Sequence, residues 1–239
     1  MPNPLTPAPA ETIADVIQHM QDIQASLPDS DGLKWFNYLY LAVTQAVQNG
    51  VESGGLVFSD PAWITRLDVV FANLYFVAVT EAQRGGASAV RRAWRPLFSA
   101  RLTPNIARIQ FALAGMNAHI NRDLVAALLS VYAADDRAPE DSSVNFQDFR
   151  SVNQLLAQVE GQVRATLLAG TPLEHGGAFA PLEDIVAMWS VGEARQAAWN
   201  HSQSLWRVRG LPAIQSASFD ALDGLTELAS NGLLVRVLP

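Results

Sequence analysis

Apolar residues recur at helical spacing along almost the whole of this chain, and nowhere do they alternate with polar ones over the length of a strand. That pattern restricts the chain to an all-α fold. Ile13, Val16, Ile17, Met20, Ile23 and Leu27 form the first repeat, which Pro28 stops, and Leu33, Phe36, Tyr40 and Val43 form the second, over 32–49. Asp60 and Pro61 suit the N-cap and first turn of a third helix, which runs to about Arg84 and closes at Gly85 and Gly86. A shorter helix over 88–101 is interrupted at Pro96. Thr103 and Pro104 repeat the cap and first-turn pattern and open a long central helix, 104–132. Further helices are expected over 145–169, 181–208 and 219–230. The expected architecture is a single-domain bundle of seven or eight helices over residues 10–239. A disordered, proline-rich lead, residues 1–9, precedes it, too poor in apolar side chains to offset backbone ordering.

Composition narrows the function classes. Of 239 residues 49% are hydrophobic and only 16% charged, which suits helices packed around one core rather than solvent-laced ones. The net charge of -7 and the single lysine, Lys34, exclude a general nucleic-acid surface, which needs clustered basic residues. There is no cysteine, so thiolate chemistry is excluded and any metal must rest on His, Asp and Glu. The N-terminus lacks the pattern of a signal peptide and no long stretch is purely apolar, so a cytoplasmic protein with no membrane span is expected.

Polarity concentrates in GMNAHINRDL, residues 115–124, inside a run that otherwise reads as buried helix. At about 100° per residue, His119 and Asp123 fall one turn apart on one flank of the buried sector, and Asn117 and Asn121 one turn apart on the other. Arg122 points outward on this wheel. The Asn pair is expected to tie helices together, since buried amides are costly unless hydrogen-bonded. The His119/Asp123 pair has the i, i+4 spacing that lets two side chains hold one metal ion, and equally that of a histidine whose tautomer a carboxylate fixes.

Further candidates lie on other helices. Asp68 shares a helical face with Ile64, Phe71, Ala72 and Tyr75, as an inward-pointing carboxylate or as the ion-pair partner of Arg66 or Arg195. His201 takes a place on the stripe Val191, Ala194, Ala198, Leu205 and Val208, as a ligand or as a core histidine. Together with His119 and Asp123 they form a candidate metal set of the kind built in bundle cores. Arg195 is a candidate clamp for a carboxylate or phosphate. Asp148 is a candidate catalytic assistant, although its place in the first turn of a helix is also explained by the helix dipole. Asn153, a turn and a half later, is placed to bond across helices.

The segments DPAWITRLDVVFANLYF, QFALAGMNAHINRDL, FQDFRSVNQLL and EARQAAW, taken together, resemble a family of bacterial proteins, frequent in actinobacteria, that forms a domain of unknown function. The GMNAHIN-x-DL core is its most specific part. The resemblance implies an all-helical domain with a polar signature of Asp68, Asn117, His119, Asn121, Asp123, Asp148, Asn153 and Arg195. The H-x-x-x-D helix is also similar to a ligand-bearing helix of bacterial zinc-dependent phospholipases C, whose histidine-rich pattern is otherwise missing from a chain with four histidines.

Three functions fit these residues. In the first, a small hydrolase-like enzyme binds one divalent ion, zinc foremost, through His119, Asp123, Asp68 and His201, and acts on a small or lipid-like apolar substrate. In the second, no metal is involved: His119, oriented by Asp123 and assisted by Arg195 or Asp148, is the acid or base of an isomerase or cyclase. In the third, the same groups form a buried network in a binding or scaffold protein.

Overall fold

The computed structural model describes residues 3–53, 58–175, 183 and 190–238. Among them there are nine α-helices and no strand. Helix α1, Ile13–Ser26, starts in a capping box in which Thr12 and Asp15 satisfy each other's backbone N–H groups. It packs on α2, Gly32–Ser53. Helix α3, Pro61–Gly85, has Asp60 as N-cap and Pro61 in its first turn, and Gly86 follows at φ 72°, a conformation that favours glycine. It is long and apolar enough to cross a membrane, yet Trp63, Ile64, Leu67, Phe71, Ala72 and Tyr75 pack into the core of the bundle.

The expected helix over 88–101 is instead two 3-10 turns, Ala87–Ala89 and Arg92–Trp94, followed by a short α4, Arg95–Ala100. Pro96 is the reason: it is admissible only in a first turn, so the α-helix starts just before it. The central helix begins later than expected. Thr103 and Pro104 lie in a loop, Asn105 adopts a left-handed φ of 65°, and α5 runs from Arg108 to Ala118. The backbone carbonyl of Asn105 accepts from the N–H of Leu238, so this loop docks the C-terminal tail.

Helix α5 continues through a π-helical turn, His119–Leu124, into α6, Val125–Ala134. Helix α7, Val144–Leu168, is capped by Ser143, and α8, Val191–Arg207, by Ser190. The start expected for α8, at 181, lies outside the described residues except at Glu183. The last helix, α9, spans Pro212–Leu233 and is nearly twice the expected length, with Pro212 in its first turn. In the proline-rich start, the N–H of Thr6 donates to Asn3 O, Leu5 packs against the core, and the backbone of Ala10 is held by the side-chain amide of Asn73.

Candidate functional site

The π turn contains HINRDL, the polar half of the stretch that stood out in the sequence. A π turn inside an α-helix carries one residue too many per turn and recurs at functional positions. Its two flanks meet different partners. On one, Asn117 Nδ2 donates to Thr226 O at 2.9 Å and Ser230 Oγ at 2.8 Å, while its Oδ1 accepts from Asn121 Nδ2 at 2.7 Å. The asparagines tie α5 to α9, as their spacing suggested.

Arg122 does not point into solvent. It is 8% exposed, with its guanidinium 4.1 Å above the Phe219 ring and Nε 3.2 Å from Asp223 Oδ2. The looser winding of the π turn and the packing of α9, through Phe219 and Asp223, together roof the direction that an ideal helical wheel leaves open.

On the other flank His119 and Asp123 are each 1% exposed. Asp123 Oδ2 lies 3.1 Å from His119 Nδ1 and accepts from Trp94 Nε1 at 2.9 Å. The carboxylate acceptor fixes the proton of His119 on Nδ1 and leaves Nε2 as a bare acceptor. Burial holds the imidazole below its ordinary pKa of 6.5 against the opposing pull of Asp123. Aromatic rings enclose it: Phe71 stacks at 3.5 Å with planes 7° apart, and the Tyr40 ring meets it edge-on at 4.6 Å. Phe36, Tyr75 and Trp94 complete the cage.

Beyond Tyr40 and Phe71 lies a cavity of about 50 Å³, bounded by α2, α3, α7 and α8 and lined in part by Tyr40, Asp68, Phe71 and Arg195. Tyr40 Oη and Asp68 Oδ2, from the cavity wall, and His119 Nε2, behind the Tyr40 and Phe71 rings, are buried without a hydrogen-bond partner among the described residues. Most buried polar atoms are paired, so three orphans on adjoining side chains of three elements call for a ligand or a chemical role. Tyr75 provides a contrast, since its hydroxyl donates to Asn37 Oδ1 at 3.1 Å.

Asp68 forms neither of the ion pairs considered for it. Arg66 pairs instead with Asp135 at 2.9 Å. Burial pushes the Asp68 carboxyl from 3.8 up to about 7, and together with Asp123 and desolvation it drives the Tyr40 phenol well above its ordinary range. Arg195, 8% exposed, donates from Nε to Asn153 Oδ1 at 2.9 Å and from Nη2 to Phe149 O at 2.7 Å, with its guanidinium 4.1 Å above the Phe149 ring. It pairs with no carboxylate among the described residues, and desolvation lowers its pKa to about 10.

The other candidates lie elsewhere. Asp148 accepts the backbone N–H groups of Ser59 at 2.9 Å and Asp60 at 2.7 Å, so both its oxygens secure the approach to α3. His201 is exposed on α8, because the edge of the bundle falls within the stripe that carries it. Among the described residues no three His, Asp or Glu side chains converge on a point that could hold a metal, and the set His119, Asp123, Asp68 and His201 does not assemble. Tyr40 and Trp94 were missed. Each carries a polar atom on an otherwise apolar stripe, which is the signal that could have marked them.

The state of Asp68 has a measurable consequence. The folded protein keeps a proton up to about pH 7 that the unfolded chain releases near 3.8, so stability falls as pH rises between these values and levels off above them. Asp68→Asn is expected to remove this slope. Urea unfolding should find the variant gaining about 2 to 3 kcal/mol on the wild type between about pH 5 and about pH 8. An unchanged slope would show that Asp68 titrates normally.

No curated protein and no solved structure matches the chain. The sequence profile of DUF5995, a family of unknown function, matches residues 13–236, and with nearly its whole length covered the chain belongs to that family.

Proposed function

We propose that the protein is a metal-independent acid–base enzyme acting on a small, largely apolar molecule, with Asp68 and Tyr40 as its proton-handling groups. The observation that carries this reading is the cavity of about 50 Å³ in whose wall a carboxyl, a phenol and a guanidinium stand without counter-charge or full hydrogen bonding. A carboxyl that titrates near neutrality is suited to both halves of a proton transfer. As carboxylate, Asp68 takes a proton from one position of the substrate; as acid, it returns the proton to another. Such an isomerisation or cyclisation consumes no co-reactant.

Tyr40, held in its protonated form, donates to an oxyanion developing on the substrate. His119 is not in the cavity wall and takes no proton in this scheme; with Asp123 and Trp94 it sets the position of the Tyr40 ring. The acid–base reading is favoured over the metal-dependent one because Asp123 Oδ2 is already engaged by two donors and His201 lies outside the cluster.

The test is deuterium uptake from heavy water into the components of a cellular small-molecule extract, read by mass spectrometry. The expected result is protein-dependent labelling of an apolar metabolite, unaffected by a chelator, lost about a hundredfold or more in Asp68→Asn and reduced in Tyr40→Phe. Labelling abolished by the chelator and restored by zinc would replace this reading with the metal-dependent one. Undiminished labelling in Asp68→Asn would overturn it, and no labelling at all would leave a binding protein.

A further inference from the structure

A second cavity, of about 320 Å³, lies between α2, α5, α7 and α8. Leu39, Val43, Leu113, Met116 and Leu156 give it an apolar wall, and Val43 also lines the smaller cavity beside Asp68. The two are separated by a polar partition. Asn153 faces the larger cavity and Arg195 the smaller, joined by the hydrogen bond from Arg195 Nε to Asn153 Oδ1. That bond directs the other end of the amide, Nδ2, toward Gly192 on the wall of the larger cavity, where it has no partner among the described residues.

The partition therefore presents spare donors and a positive charge. Arg195 uses Nε and Nη2 within the fold, and Nη1 makes no hydrogen bond to a described residue. A buried guanidinium without a carboxylate is costly unless something supplies the missing charge. Arg164, exposed, adds a second cation at the margin of the larger cavity. Size sets the rest: a dry cavity of about 150 Å³ holds a benzene ring, so roughly twice that volume suits an apolar body of about ten to twelve heavy atoms. One deeply buried cation with a planar fork matches a carboxylate better than a doubly charged phosphate.

We infer that the substrate is an amphiphilic carboxylate, its apolar body in the larger cavity and its carboxylate on Arg195 and Asn153 at the partition. This rests on the acid–base reading, because a carboxylate held on Arg195 sets the adjoining end of the ligand beside the cavity that Arg195 lines with Asp68 and Tyr40. Leu113 and Met116 come from the turns just before His119, so α5 shapes the site for the ligand's body while the π turn supports the reacting end.

The experiment is calorimetric titration of the full chain with octanoate and decanoate, and with 1-octanol and octylamine as matched neutral and cationic probes. The carboxylates are expected to bind at least about tenfold more tightly than the alcohol, and the amine not at all. Arg195→Gln should erase the preference for the carboxylate. Ala157→Phe, on the wall of the larger cavity, should weaken decanoate more than butyrate and so keeps the inference testable if Arg195→Gln fails to fold. Equal affinity for octanol and octanoate, or chain-length selectivity unchanged in Ala157→Phe, would overturn the inference. Deuterium labelling on the same samples separates the two claims: carboxylate binding without labelling removes the enzyme and keeps the ligand, and labelling without carboxylate binding does the reverse.

Discussion

Asp123→Ala is expected to lower the unfolding free energy by about 3 to 5 kcal/mol, the range for removing one partner of a buried charged pair. The single oxygen Oδ2 serves two donors, Trp94 Nε1 and His119 Nδ1, both in the sealed interior. Truncation leaves both N–H groups buried without an acceptor, and each such orphan carries a desolvation penalty of about 1 to 3 kcal/mol. It also opens a void against the Trp94 indole, one wall of the cage around His119. Asp123→Asn keeps the volume and one acceptor oxygen, so it should cost roughly half as much. Urea unfolding measures both. A loss below about 1 kcal/mol for the alanine variant would mean that the carboxylate does not carry these two bonds in solution. Imidazole nitrogen shifts supply an independent readout, because without Asp123 the His119 proton is no longer held on Nδ1.

The sequence was most legible where the deciding interactions were local. Asp60, Pro61 and Gly86 mark the ends of α3 because caps and first turns are settled within a few residues. The division of Asn117, His119, Asn121 and Asp123 into two pairs on two flanks survives in the structure, since side chains four apart on a helix are neighbours whatever surrounds them. Destinations were not legible. Asn117 finds its partners at Thr226 and Ser230, more than a hundred residues away, and nothing local says that their helix packs against α5. Arg122 was assigned to solvent for the same reason: no periodicity announces the roof that α9 supplies through Phe219 and Asp223.

His201 shows the converse error. A stripe argument identifies which residues share a face, and it does not say where the bundle ends; the exposed imidazole lies past that edge. Thr103 and Pro104 form a sound start signal that tertiary structure overrides, because the loop around Asn105 is used to hold the C-terminal tail. The π turn has no signature in a single sequence, yet it sits on the residues whose polarity marked the stretch first. The spacing leaves Asp68 open between an inward carboxylate and an ion pair with Arg66 or Arg195, and no ion pair to Asp68 forms among the described residues. Its neighbours Tyr40 and Arg195 converge on it only once α2, α3 and α8 are packed together.

Gly115→Ala is expected to destabilise the protein by about 2 to 3 kcal/mol, although alanine is the better helix former by about 1 kcal/mol. The reason is the approach of α5 to α2: a Cβ at residue 115 would stand 2.3 Å from Cγ of Phe36, far inside contact distance. The Phe36 ring has nowhere to retreat, because it packs on Tyr40 at 5.7 Å, Tyr75 at 5.0 Å, Trp94 at 5.3 Å and His119 at 5.8 Å. An added methyl therefore strains the whole cage, and through Tyr40 it reaches the wall of the Asp68 cavity. A double-mutant cycle isolates the cause. In a Phe36→Ala background the ring and its Cγ are gone and only the Cβ of residue 36 remains close to the new methyl, so Gly115→Ala should then cost at least about 1 kcal/mol less than it does beside phenylalanine. If the two substitutions prove additive, the collision with Phe36 is not what requires glycine here, and the close approach of α2 and α5 would have to be relieved by movement of the helices themselves.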